Sequence, residues 1–124
     1  MTTFALIVST PPTDNKTHTA LKFAQTLIAQ EHVITGVFFY HDGVMNANQL
    51  VQTPSDELNL MVAWQEFNQQ TNTPLHLCIT AGERRGLTDS NDDQYNHNIA
   101  PNFTISGLGE LVVLTSQADK VVQL

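Results

Sequence analysis

The chain has a single cysteine, Cys78, among its 124 residues. One cysteine excludes an internal disulfide framework and a redox motif of the Cys-x-x-Cys type. Any transfer of sulfur through Cys78 must therefore be intermolecular, with the thiolate of another molecule attacking the outer sulfur. Since the first residues also lack an export signal, we expect a reducing compartment and a cytoplasmic location.

Positive charge is scarce as well. Five Lys and Arg residues face twelve Asp and Glu residues, for a formal net charge of −7. Nucleic-acid binding needs clustered cations, because neutralised phosphates release their counterions. The one basic cluster is Arg84-Arg85, so we expect no direct binding of nucleic acid. An acidic surface suits solubility or a basic protein partner, and charge alone does not choose between them.

Long apolar runs and metal-binding patterns are also lacking. No apolar run approaches the ~20 residues that a membrane-spanning helix needs. The five histidines do not form a His-Glu-x-x-His motif, and a lone cysteine cannot supply paired-cysteine spacing. They are His18, His32, His41, His76 and His97. We therefore expect no membrane span, no metal and no cofactor.

Strand-like and helix-like segments alternate along the chain. Apolar, β-branched or aromatic runs predict strands at residues 4–8, 33–40, 75–79, 103–105 and 120–124. Helices are predicted over about 15–30, from a start at Thr53-Pro54-Ser55-Asp56, and over about 107–117 with Ser106 as the cap. This order predicts one α/β domain over residues 1–124, with a mostly parallel sheet between helices.

Sites in such sheets form at the carboxyl ends of the strands. We expect the loops 9–14, 41–49 and 78–82 to meet there, beside Cys78. Residues 80–82 could turn the chain into a helix whose amides favour a thiolate. Arg84 and Arg85 would add positive charge, partly offset by Glu83. The alternative is that Cys78 is a small buried hydrophobe, as free cysteines often are.

Other residues permit a functional and a structural interpretation. His76 would share a strand face with Cys78, roughly 7 Å away, as a base or as a packed histidine. Residues 106–109, Ser-Gly-Leu-Gly, are either an anion-binding helix start or a packed helix entry. The pair Arg84-Arg85 either binds an acidic partner or is exposed to solvent. Trp64 and Phe67 lie at helical spacing, which indicates that they belong either to the hydrophobic core or to an oligomer interface. The acidic stretch 89–93 is more typical of a solvated loop than of a docking site.

Three motifs resemble the DsrE/TusD family, and the TusD branch in particular. The first is Val-Phe-Phe-Tyr at 37–40 followed by Gly-Val-Met-Asn-Ala-Asn-Gln at 43–49. The second is Leu77-Cys78 followed by Arg-Arg-Gly at 84–86, and the third is Phe-Thr-Ile-Ser-Gly-Leu-Gly at 103–109 with Asp-Lys-Val-Val-Gln at 119–123. The resemblance covers nearly the whole chain in the same order. The segment 88–102 is its least similar part.

The resemblance implies a three-layer α/β/α fold with a five-stranded parallel sheet. It also implies a sulfurtransferase that carries sulfur as a persulfide on Cys78. TusB-like and TusC-like subunits would complete a heterohexamer with two copies of each subunit. A TusA-like donor would supply the sulfur, and a TusE-like acceptor would take it for 2-thiouridine at the wobble position of tRNA. Two other roles stay open: a DsrE-like subunit of a sulfur-oxidation relay, and a non-catalytic scaffold subunit.

Overall fold

A computed structural model describes residues 2–89 and 97–124 of the chain. Its strands are Thr3–Val8 (β1), Val33–Phe39 (β2), Leu75–Cys78 (β3), Phe103–Ser106 (β4) and Lys120–Gln123 (β5). Its α-helices are Asn15–Ala29 (α1), Leu60–Thr71 (α2), Ile79–Glu83 (α3) and Leu108–Ser116 (α4), and a 3-10 helix spans His41–Ala47. None of the helices in these two ranges is long and apolar enough to cross a membrane.

The strands form one sheet in the order β4-β3-β2-β1-β5, and every neighbouring pair is parallel. The buried runs of β1 and β2 explain why these two strands lie inside the sheet, since a strand covered on both faces must be apolar throughout. The short, more exposed β4 and β5 form its edges. The predicted α/β class with a five-stranded parallel sheet is confirmed.

Helices cover both faces of the sheet. Phe39 of β2 meets Trp64 of α2 edge-on, with 5.2 Å between ring centroids, and α1 packs beside α2. Gly36, on the opposite face of β2, lies against Leu114 of α4, because side chains of a strand alternate between faces. Trp64 and Phe67 are both buried in the hydrophobic core, as the core interpretation predicted.

The predicted start of α2 is wrong. The backbone N–H of Glu57 bonds to the carbonyl of Pro54 at 3.0 Å, so this segment forms a turn and no helix. The helix begins at Leu60, where Asn59 is the N-cap and its side-chain oxygen accepts from the N–H of Val62. Thr53-Pro54 also has the residue types of a helix start. Asn59 is nonetheless the cap, because it directly precedes the apolar residues that α2 buries.

The cap of α4 also differs from the prediction. Gly107 occupies the N-cap position, while Ser106 remains the last residue of β4. The hydroxyl of Ser106 pairs with Nδ1 of His76 at 2.8 Å, so it is engaged across the sheet and does not cap the helix.

The chain between α3 and β4 is held near both of its ends. Asn98 accepts from the N–H of Thr88 and donates to the carbonyl of Gly86, both at 2.8 Å. Ile99 forms an antiparallel bridge with Asn48. Most of the acidic stretch 89–93 lies outside the described residues.

Candidate functional site

Cys78 is the last residue of β3, and the chain turns from it directly into α3. Strand β3 lies between β2 and β4, and Cys78 is paired in register with Ser106. The thiol is therefore at the carboxyl end of the sheet, where sites of parallel α/β proteins form. The predicted turn from strand into helix after Cys78 is confirmed.

A cleft of about 570 Å³ opens beside Cys78. Its lining comes from the ends of three adjacent strands: Tyr40, His41, Cys78, Ile79, Thr80, Ala81, Arg84, Arg85, Gly107 and Leu108. Cys78 itself is only 3% exposed. The thiol residue thus forms part of the wall of an open cleft, with most of its surface packed in the core.

Two of the three loops predicted to meet at Cys78 do so, and the third does not. The segment after β2 and the segment after β3 both line the cleft, but the loop 9–14 is missing from it. The reason is the strand order: β1 is separated from β3 by β2, whereas β4 is its direct neighbour. Gly107 and Leu108, which follow β4, take the place of that loop.

The loop after β1 supports the cleft from behind. Nδ2 of Asn46 donates to the carbonyls of Thr10 and Gly43, at 3.1 and 2.9 Å. Gly43 packs so closely on the end of β1 that a Cβ there would lie 2.0 Å from the carbonyl oxygen of Val8. These contacts hold the 3-10 helix that places Tyr40 and His41 in the cleft wall.

Arg84 and Arg85 both line the cleft, but their contacts differ. Nε of Arg85 donates to Oδ1 of Asp42 at 2.8 Å, and its Nη1 donates to the carbonyl of Ala81 at 3.0 Å. Arg85 thereby ties α3 to the 3-10 helix across the cleft. Arg84 is exposed, and its guanidinium has no hydrogen-bond or ion-pair partner within residues 2–89 and 97–124.

The helix that follows Cys78 is short and is not capped by the thiol. Cys78 occupies the N-cap position of α3, but its side chain makes no capping hydrogen bond. Helix α3 spans only five residues, which limits any macrodipole. The formal positive charge in the lining of the cleft is that of the two guanidinium groups.

His76 is engaged away from the thiol. Its Nδ1 pairs with the hydroxyl of Ser106, and its Nε2 lies 3.7 Å from Oε1 of Glu110. Burial lowers the pKa of His76 below 6.5, and the carboxylate of Glu110 opposes that shift. His76 does not line the cleft. The arrangement is that of a packed strand histidine, not of a base bonded to Cys78.

The described part of the chain holds no cluster of metal-ligating side chains. In residues 2–89 and 97–124, no three His, Cys, Asp or Glu side chains converge as metal ligands. The groups available at the cleft are a thiol, two arginines, the side chains of Tyr40, His41 and Thr80, and an apolar rim. Exchange of sulfur with another thiol requires a nucleophilic thiolate and access to it.

Known proteins resemble this chain in sequence and in fold. The profile of the DsrE/DsrF-like family matches residues 2–124. The chain belongs to this family. A solved structure described as the ychN protein from E. coli has the same fold, with a TM-score of 0.81 over the whole of both chains at 24% identity.

Curated relatives are similar over most of the chain. A sulfurtransferase TusD homolog of Haemophilus influenzae is 45% identical over 85% of each chain. A sulfurtransferase TusD of Klebsiella pneumoniae strain 342 is 41% identical over 97% of this chain and 98% of its own. The family and these relatives together assign the chain to the sulfurtransferases.

Proposed function

We propose that this sulfurtransferase carries sulfur as a persulfide on Cys78. The observation that carries the proposal is the position of the cysteine: it ends β3 in the wall of an open cleft, beside two arginines. The thiolate is the form of cysteine that attacks sulfur. A lone cysteine then returns the sulfur only to a thiol of another molecule.

The likeness to the TusD relatives supports a more specific role. In this proposal a TusA-like protein loads Cys78, and a TusE-like protein takes the sulfur for 2-thiouridine at the tRNA wobble position. TusB-like and TusC-like subunits assemble with this chain into a heterohexamer in the cytoplasm. The scarcity of clustered basic residues suits a subunit that handles sulfur while a later enzyme contacts the tRNA.

A scaffold role is the competing function, and the 3% exposure of Cys78 favours it. Intact mass of the protein after treatment with glutathione persulfide separates the two. A carrier gains about 32 Da, which reducing agent removes, whereas Cys78→Ser gains nothing. A wild-type thiol that stays unmodified under these conditions would establish the scaffold.

The pathway is tested in cells that lack the chromosomal gene. Cys78→Ser should fold and assemble like wild type, because serine is close to cysteine in volume. Wobble 2-thiouridine, measured in digested tRNA, should be lost in this variant and kept with wild type. Normal 2-thiouridine in Cys78→Ser would refute the tRNA pathway, and a sulfur-oxidation relay would then be the better assignment of the carrier.

A further inference from the structure

The formal charges that line the cleft beside Cys78 are positive, whereas the chain as a whole is negatively charged. Its ten lining residues include two arginines and no Asp or Glu. The whole chain has a formal net charge of −7. An anionic group that approaches this protein is therefore repelled by the chain as a whole and attracted at the cleft.

Arg84 is the cation that is free to bind a ligand. The charge of Arg85 is already offset by Asp42 at 2.8 Å. Arg84 is exposed and unpaired within the described ranges 2–89 and 97–124. A free guanidinium presents a planar fork of N–H donors, which fits a carboxylate in a bidentate way.

The acidic residue next to Arg84 in the sequence lines a different cavity. Glu83 precedes Arg84, but it lines a separate cavity of about 60 Å³ together with Leu87 and Asp89. It is missing from the lining of the cleft. No ion pair joins Glu83 to Arg84 within the described residues, so the carboxylate of Glu83 offsets the arginines only through space.

The cleft also has an apolar rim. Ile79 and Leu108, which both line it, are 43% and 50% exposed. Exposed apolar side chains next to a free cation suit a segment of polypeptide with aliphatic carbon beside a carboxylate. A small, fully polar anion would leave this rim unused.

We propose that the Cys78 cleft binds a thiol-bearing polypeptide segment with a carboxylate close to its sulfur, and that Arg84 recognises this carboxylate. The proposal rests on the carrier function, since this segment exchanges sulfur with Cys78. The segment's thiolate attacks the outer sulfur of the Cys78 persulfide and forms a new S–S bond. The old S–S bond breaks, and its electron pair leaves Cys78 as a thiolate. The reverse reaction loads Cys78, and neither direction needs an oxidant.

Charge selection at the cleft is tested with two alkylating probes. Cys78 is the only cysteine, so all thiol alkylation reports on the cleft. The rate with anionic iodoacetate is divided by the rate with neutral iodoacetamide, which cancels the fraction of thiolate. Arg84→Gln should lower this ratio about two- to fivefold, the range expected for one partly screened charge. Added salt should lower the wild-type ratio towards that of the variant.

Two matched variants control the measurement. Arg84→Lys keeps the charge and should keep most of the ratio. Lys120→Gln removes the same charge from β5, at the opposite edge of the sheet from β4, and should leave the ratio unchanged. An unchanged ratio in Arg84→Gln overturns the proposal, and so does an equal fall in Lys120→Gln.

A second measurement tests the segment itself. Persulfidated protein is mixed with the blocked peptide Leu-Asp-Cys-Asp-Leu or with Leu-Asn-Cys-Asn-Leu, and sulfur on the peptide is followed by mass spectrometry. We expect the aspartate peptide to accept sulfur about two- to fivefold faster, with the preference lost in Arg84→Gln. Equal rates with wild type refute the recognition of a carboxylate. If Cys78 never takes up sulfur, the carrier function fails, while the alkylation ratio still decides charge selection separately.

Discussion

Replacement of Gly43 by alanine should be the most destabilising of the glycine substitutions in this fold. Gly43 lies in the 3-10 helix behind the cleft, and a Cβ at this position would sit 2.0 Å from the carbonyl oxygen and 2.8 Å from the carbonyl carbon of Val8. Both are backbone atoms at the end of β1. The same oxygen accepts a hydrogen bond from the N–H of Tyr40 at 2.9 Å, so it cannot move without cost.

The magnitude follows from two effects. Overpacking costs about 1–3 kcal/mol where neighbours must shift, and a lost backbone hydrogen bond adds about 1 kcal/mol. We therefore expect Gly43→Ala to lower the free energy of unfolding by about 3 kcal/mol. For a domain of this size such a loss corresponds to a fall in Tm of roughly 10 °C.

Two other glycines provide an internal scale. Gly109→Ala in α4 meets nothing within 4 Å, so it should be neutral or stabilising by up to about 1 kcal/mol. Gly36→Ala approaches a Cδ of Leu114 at 2.7 Å, but that atom belongs to a flexible side chain, and a loss of about 1–2 kcal/mol is expected. Denaturant unfolding of the three variants measures the order. A Gly43→Ala protein as stable as Gly109→Ala would refute the close packing of the 3-10 helix on β1.

Two ionisable contacts predict dependence on pH. Burial lowers the pKa of His76, so the unfolded chain binds a proton at this histidine at a higher pH than the folded chain does. Stability should therefore fall as pH drops below 6.5. Glu110→Gln removes the attraction that opposes the shift, and it should lower the His76 pKa further in an NMR titration. A midpoint that rises in Glu110→Gln would contradict this. Hydrogen bonds from the N–H and hydroxyl of Thr3 lower the pKa of Asp119, so its contribution is present above 3.8 and is lost as pH falls through the folded pKa. Asp119→Asn should therefore destabilise the protein at neutral pH and flatten the acid side of its stability profile, and an unchanged profile would count against these bonds.

Much of the fold could be predicted from the sequence, because short apolar segments typical of strands alternate along the chain with segments of helical periodicity. The start of α2 could not, since Thr53-Pro54 and Asn59 both carry helix-start signals and only tertiary structure selects between them. The role of Ser106 was missed for a similar reason. A serine before a helix is a good cap by local preference, but His76 on the neighbouring strand offers its hydroxyl another partner.

The composition of the cleft depended on strand order, which local patterns do not encode. Alternation of strands and helices predicts that Cys78 ends a strand, but not that β4 lies next to β3. Without that adjacency, Leu108 and Gly107 cannot be placed beside the thiol. The pairing of Arg85 with Asp42 was equally hidden, because 43 residues separate the two in sequence.

The structure also separates residues that maintain the site from residues that meet a ligand. In the motif at 43–49, Gly43 and Asn46 face the inside of the protein and hold the 3-10 helix against β1. Arg85 ties that helix to α3 and so fixes the width of the cleft. Of the Arg-Arg pair, only Arg84 then remains unpaired at the cleft, within the part of the chain that the structure describes. A substitution at Arg85 should therefore act on the shape of the cleft, whereas one at Arg84 should act on the charge of what enters it.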